Sequence, residues 1–171
     1  MTRRRTGACS PRRAALHVAV AGVVPSAPER AYRLYLQEIP DGEPRPFGPE
    51  DVGLFEWSSP VSPDGRLIIL KMHGRAVLCP IGGREATTIP GLAEGDRPIQ
   101  WSADGHAVYV TRLGESQVWL VDVTTGQKRL WRQIRPEDPF FFRLRITPDG
   151  GAYVYTTDRF LSELYVVEGL H

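Results

Sequence analysis

Polar and apolar positions along this chain switch in short runs, and helical spacing appears over no useful window. Ser62-Pro63-Asp64-Gly65 leads into Arg66-Leu67-Ile68-Ile69-Leu70. Ser102-Ala103-Asp104-Gly105 leads into His106-Ala107-Val108-Tyr109-Val110, and Thr147-Pro148-Asp149-Gly150 into Gly151-Ala152-Tyr153-Val154-Tyr155. The turn glycines Gly65, Gly105 and Gly150 are spaced by 40 and 45 residues. A second series runs between them. Leu34-Tyr35-Leu36, Val77-Leu78, Val118-Trp119-Leu120-Val121 and Leu164-Tyr165-Val166-Val167 each precede a glycine turn at Gly42, Gly83, Gly126 and Gly169. Those glycines fall 41, 43 and 43 residues apart. Two interleaved series with one period define a repeat protein.

The unit has a plain physical reading. In Ser/Thr-Pro-Asp-Gly the proline presets φ, the aspartate bonds back to the backbone, and glycine takes the φ > 0 position that strains a Cβ. The flanking β-branched and aromatic runs suit strands. Each period holds about four of them, which predicts four-stranded antiparallel blades. The expected fold class is all-β, a β-propeller of about 3.5 blades at roughly 10–49, 50–92, 93–135 and 136–170. Closed rings of this kind have about four to eight blades, so a partial or incomplete propeller is expected.

The string from Trp101 to Gly126 (W-S-x-D-G-x-x-x-Y-V … V-W-L-V-D-x-x-T-G) resembles the WD40-like repeats of TolB-type β-propellers. The string from Ile146 to Leu170 is similar to the C-terminal blade of propellers attached to bacterial serine/threonine kinases or winged-helix regulators. The resemblance spans residues 14–170 and implies a non-catalytic module in the periplasm or cell envelope, with the cytoplasm as the other possibility. It also gives the N-terminus a phase. Residues 1–13 form a basic segment, either a degenerate blade start or a leader. Ala14 to Val24 reads as a blade strand in repeat phase, or as the apolar stretch of a secretory signal; the phase favours the strand.

Composition narrows the partners. The formal net charge is +1 on 171 residues, so no overall field draws the chain to nucleic acid or anionic membrane. No apolar run reaches the roughly 18–20 residues of a membrane helix. Cys9 and Cys79 form neither a disulfide framework nor a zinc motif, and Cys79 fits a buried strand position. An incomplete propeller leaves open blade faces, and a homodimer would cover them.

No reactive constellation is expected: the chain reads as not an enzyme, with no cofactor and no metal. The sequence lacks a G-x-S-x-G elbow, a phosphate-cradling loop and the H-R-D and D-F-G motifs of kinases. His17, His73, His106 and His171 share no ligand spacing, and His73 and His106 fit turns. Asp64, Asp104 and Asp149 each offer one carboxylate beside Gly, which suits turn closure better than calcium. Trp57, Trp101, Trp119 and Trp131 lie in repeat phase and suit packing between blades better than an aromatic cage. The loop Arg132 to Phe142 breaks the repeat, and its three phenylalanines suit a binding loop or a buried inner strand equally. Candidate partner-binding residues are Arg112, Glu115, Arg135, Glu137, Asp138, Asp158 and Arg159, all in connections. The functional expectation is a scaffold that binds a protein or peptide. The alternative is the sensor portion of a kinase or transcriptional regulator whose catalytic or DNA-binding part lies elsewhere.

Overall fold

The computed structural model describes residues 16–23, 32–39, 41–49, 52–83, 85–135, 142–147 and 149–157. These residues are all-β, arranged as successive antiparallel sheets. The first sheet holds β1 (Leu16–Val23), β2 (Tyr32–Ile39) and β3 (Arg45–Phe47), with β1 paired to β2 along its whole length. The second holds β4 (Val52–Gly53), β5 (Leu67–Met72), β6 (Arg75–Pro80) and β7 (Thr87–Thr88). The third holds β8 (Asp96–Trp101), β9 (Ala107–Arg112), β10 (Gln117–Asp122) and β11 (Lys128–Gln133). The fourth pairs β12 (Phe142–Ile146) with β13 (Tyr153–Thr157). The end of the phenylalanine run therefore enters a strand.

In the second, third and fourth sheets, each a blade, the first strand is innermost. In the first sheet β1 takes the place of the second strands β5 and β9, since β2 meets β4 of the next blade as β6 meets β8. The inner strands converge: Ser59 bridges Gln100, and the Gln100 side-chain amide bonds both backbone groups of Ile146 in the next blade. Trp101 donates its indole N–H to the Pro60 carbonyl at 2.9 Å, tying the second blade to the third.

The blades stack through alternating faces, because successive strand residues point to opposite sides. Leu34, Leu36 and Phe47 of the first blade meet Ile68, Leu70, Val77 and Cys79 of the second. The other face of the second blade sends Ile69 and Ala76 against Trp101, Val108, Val110 and Val121. The third blade then turns Tyr109, Val118 and Leu120 toward Leu144 and Ile146. Three apolar seams hold the stack together, and burial of these side chains is its main stabilising term.

The Asp-Gly turns close alike in three blades. Ser62 Oγ donates to Asp64 Oδ1 at 2.6 Å while accepting from the Leu67 amide at 2.9 Å. Asp64 Oδ1 also accepts from the Arg66 amide, and Gly65, at φ 70°, donates to the Ser62 carbonyl. Ser102, Asp104, His106 and Ala107 repeat this set, as do Thr147, Asp149, Gly151 and Ala152. The carboxylates are thus engaged in the turns themselves. His73 and Gly74, both at positive φ, form the two-residue turn between β5 and β6.

One sequence expectation is corrected here. Trp101 is buried, and Trp119 and Trp131 are partly buried against the seams, but Trp57 is 58% exposed. The pairing register explains it. In the third blade Asp96 faces Arg112 and Trp101 faces Val108. The corresponding pairs in the second blade are Val52 with Met72 and Val61 with Ile68. Val61, not Trp57, occupies the place of Trp101. The inner strand of the second blade carries four additional residues between these pairs, and they loop out with Trp57 among them.

Candidate functional site

Two surfaces gather chemistry-bearing side chains. The first is a cleft of about 240 Å³ beside the seam of the second and third blades, lined by Asp96, Arg112, Glu115, Trp119 and Lys128 among others. Asp96 opens β8 and its side chain is only 6% exposed. Its Oδ1 accepts from Arg112 Nη2 at 2.8 Å and Nε at 3.1 Å. Its Oδ2 accepts from Lys128 Nζ at 3.1 Å and the Ala93 amide at 2.9 Å. Burial pushes the Asp96 carboxyl up, but the Ala93 amide and the two cations outweigh it and hold the group below its ordinary value.

Arg112, the last residue of β9, spans two carboxylates: its Nη1 also lies 3.8 Å from Glu115 Oε1. Two cations and two anions cancel in this cluster. It braces the linker between blades more than it attracts a charged ligand. Arg112 and Glu115 are brought together, as neighbours across the β9–β10 turn, where the Glu115 amide donates to the Arg112 carbonyl. Arg135 is exposed just beyond β11, next to Ile134, whose amide donates to the carbonyl of Ser116 beside Glu115. Glu137, Asp138, Asp158 and Arg159 lie outside the described residues.

The second surface lies at the inner edge of the stack. Trp57, Arg143, Arg145, Val154, Tyr155 and Thr156 line a shallow depression of about 180 Å³. Trp57 holds φ 63°, a left-handed conformation unusual for a bulky residue. The Arg143 guanidinium sits 4.3 Å from the centre of its ring, and Arg145 donates to the Trp57 carbonyl. These arginines belong to β12 of the fourth blade, so the second blade's excursion reaches past the third.

Sequence reasoning missed Asp96, Lys128, Arg143, Arg145 and Tyr155. For the arginines a signal was present: Arg143-Leu144-Arg145-Ile146 alternates as a strand with one charged face. For Asp96 there was none, because its partners lie on β9 and β11.

Among the described residues no group of three or more His, Cys, Asp or Glu is placed to hold a metal ion. No helix among them is long and apolar enough to cross a membrane. Cys79 is a buried free thiol, its pKa raised by that burial.

No family model matches the chain, and no curated protein does. Among solved structures, the crystal structure of TolB from Acinetobacter baumannii superposes with a TM-score of 0.57 at 23% identity. The fold is TolB-like. The match covers 84% of this chain and 36% of that protein, so the chain spans about a third of the TolB length. Blades stacked through apolar seams in a partial TolB-like propeller are the architecture the repeat predicts.

Proposed function

We propose that the chain is a non-catalytic β-propeller module that holds a protein or peptide partner. The Trp57 surface carries this reading: an exposed tryptophan and tyrosine beside two arginines, on a rigid stack of sheets. Trp, Tyr and Arg are the residue types that dominate binding energy at protein interfaces. The TolB-like fold supports the reading at the level of architecture. Arg112 and Glu115 enter it as supports of the cleft, and Arg135, Glu137, Asp138, Asp158 and Arg159 as further proposed contacts.

The sensor alternative rests on the C-terminal string from Ile146 to Leu170, whose residues 158–170 lie outside the described residues.

Selection of a random displayed-peptide library on the purified chain tests the module. Enriched sequences are expected to bind as free peptides in calorimetry. A selection that returns no such peptide refutes the reading.

A further inference from the structure

We infer that the cleft beside Asp96 on the third blade binds a neutral pyranose sugar, its ring laid on Trp119 and its hydroxyls bonded to Glu115, Gln117 and Lys128. This is a small-molecule site, separate from the protein-binding surface proposed above.

Asp96 organises the cleft. Its buried carboxylate holds the Arg112 guanidinium by two hydrogen bonds and the Lys128 ammonium by one. Binding groups locked by a buried partner are preorganised for a ligand. Every residue that lines the cleft belongs to the third blade, and all of them are described. Gln117 and Trp119 lie two apart on β10 and so share one of its faces. Trp119 packs against the seam of the second and third blades and also lines the cleft.

Hydrogen-bonding capacity is left over here, whereas charge is not. Arg112 and Lys128 are offset by Asp96 and Glu115. Yet Lys128 gives Asp96 only one of its N–H donors. Glu115 Oε1 stands 3.8 Å from Arg112 Nη1, too far for a hydrogen bond. Among the described residues no hydrogen bond engages the Glu115 carboxylate, the Gln117 side-chain amide or the Trp119 indole N–H. A charged ligand would have to compete with the existing pairs, and an uncharged one need not. Hydroxyls both donate and accept, which suits a wall where an ammonium, an amide and a carboxylate stand together.

Size and the indole ring select the class. A cavity of about 150 Å³ already accepts one six-membered ring, so a cleft of about 240 Å³ takes a single ring with its hydroxyls. Larger ligands occupy pockets of roughly 300–1,000 Å³. The C–H groups of a pyranose form an apolar face, and an indole ring is the surface that complements it. An extended peptide would instead run its length along a sheet edge or groove.

The probes are methyl β-glucopyranoside, methyl β-galactopyranoside and methyl α-mannopyranoside, each added to the full chain and read by saturation-transfer difference NMR. At least one is expected to bind, with saturation strongest at its ring C–H protons. Gln117→Ala and Trp119→Leu should each weaken that binding at least about fivefold. Gln117 belongs to no seam, so its variant keeps the test sound if Trp119→Leu fails to fold. Binding unchanged in Gln117→Ala would overturn the inference. So would glucuronate binding more tightly than the glucoside, which would show unpaired positive charge in the cleft. Displacement of the sugars by a blocked triglycine peptide would give the cleft to peptide backbone and overturn it too. Failure of all three sugars while selected peptides still bind would remove this site and leave the binding module standing.

Discussion

Asp96 shows how one side chain is decided by neighbours that the sequence keeps far away. A carboxylate this buried is unfavourable alone, and four donors converge on it. Asp96→Ala should lower stability by about 2–3 kcal/mol in denaturant titration, since Arg112 and Lys128 lose their anion but stay partly hydrated. A loss below about 0.5 kcal/mol would mean the cluster is solvated and braces nothing. Trp57 raises the opposite case. Glycine there relieves a left-handed backbone but frees the unfolded chain and forfeits the contact with Arg143. These effects offset, so Trp57→Gly should unfold within about 1 kcal/mol of the parent. Asp64, Asp104, Asp122 and Asp149 share the depressed pKa of Asp96, but for the hydrogen bonds they accept in turns. A carboxyl lowered in the folded state stabilises above its unfolded value and loses that contribution as pH falls through the folded value. Melting temperature should therefore be level above about pH 5 and decline as pH drops below the ordinary 3.8. A decline that begins near neutrality would overturn the assignment to these carboxylates.

At the scale of the element, the Asp-Gly turns were legible in full, because their hydrogen bonds join residues no more than five apart. The strands were legible by the same locality: alternation and turn residues mark their ends. The contact between Gly91 and Gly126 was not. Gly126 ends the β10–β11 turn at φ 73°, and a Cβ there would lie 2.7 Å from the Pro90 carbonyl carbon. Gly91, at φ 74°, would set a Cβ 2.4 Å from the Gly126 oxygen. Backbone meets backbone, and neither side can yield. Gly126→Ala should therefore destabilise by more than about 2 kcal/mol, well beyond the loss expected of an exposed turn glycine. Circular dichroism melts of Gly126→Ala beside Gly82→Ala make the comparison, because a Cβ at Gly82 meets nothing within 4 Å.

For the whole molecule, the seams set the stability. Leu70 is fully buried between the first and second blades, and Leu70→Ala should cost about 3 kcal/mol in the same titration. The sequence by itself determined the repeat, the β class, the turn chemistry and the identity of the apolar strands. All of these are written in neighbours along the chain, where period and turn residues act directly. Only the tertiary structure decided what the extra residues of the second blade do. Trp57 lies eight residues before Gly65 where Trp101 lies four before Gly105, so the four-residue surplus is written in the sequence. The pairing register is what shows it looping out and moving Trp57 from seam to surface. The tertiary structure likewise brought Arg145 to Trp57 and Lys128 to Asp96, because charge and ring contacts between blades depend on how sheets stack, which no local period encodes.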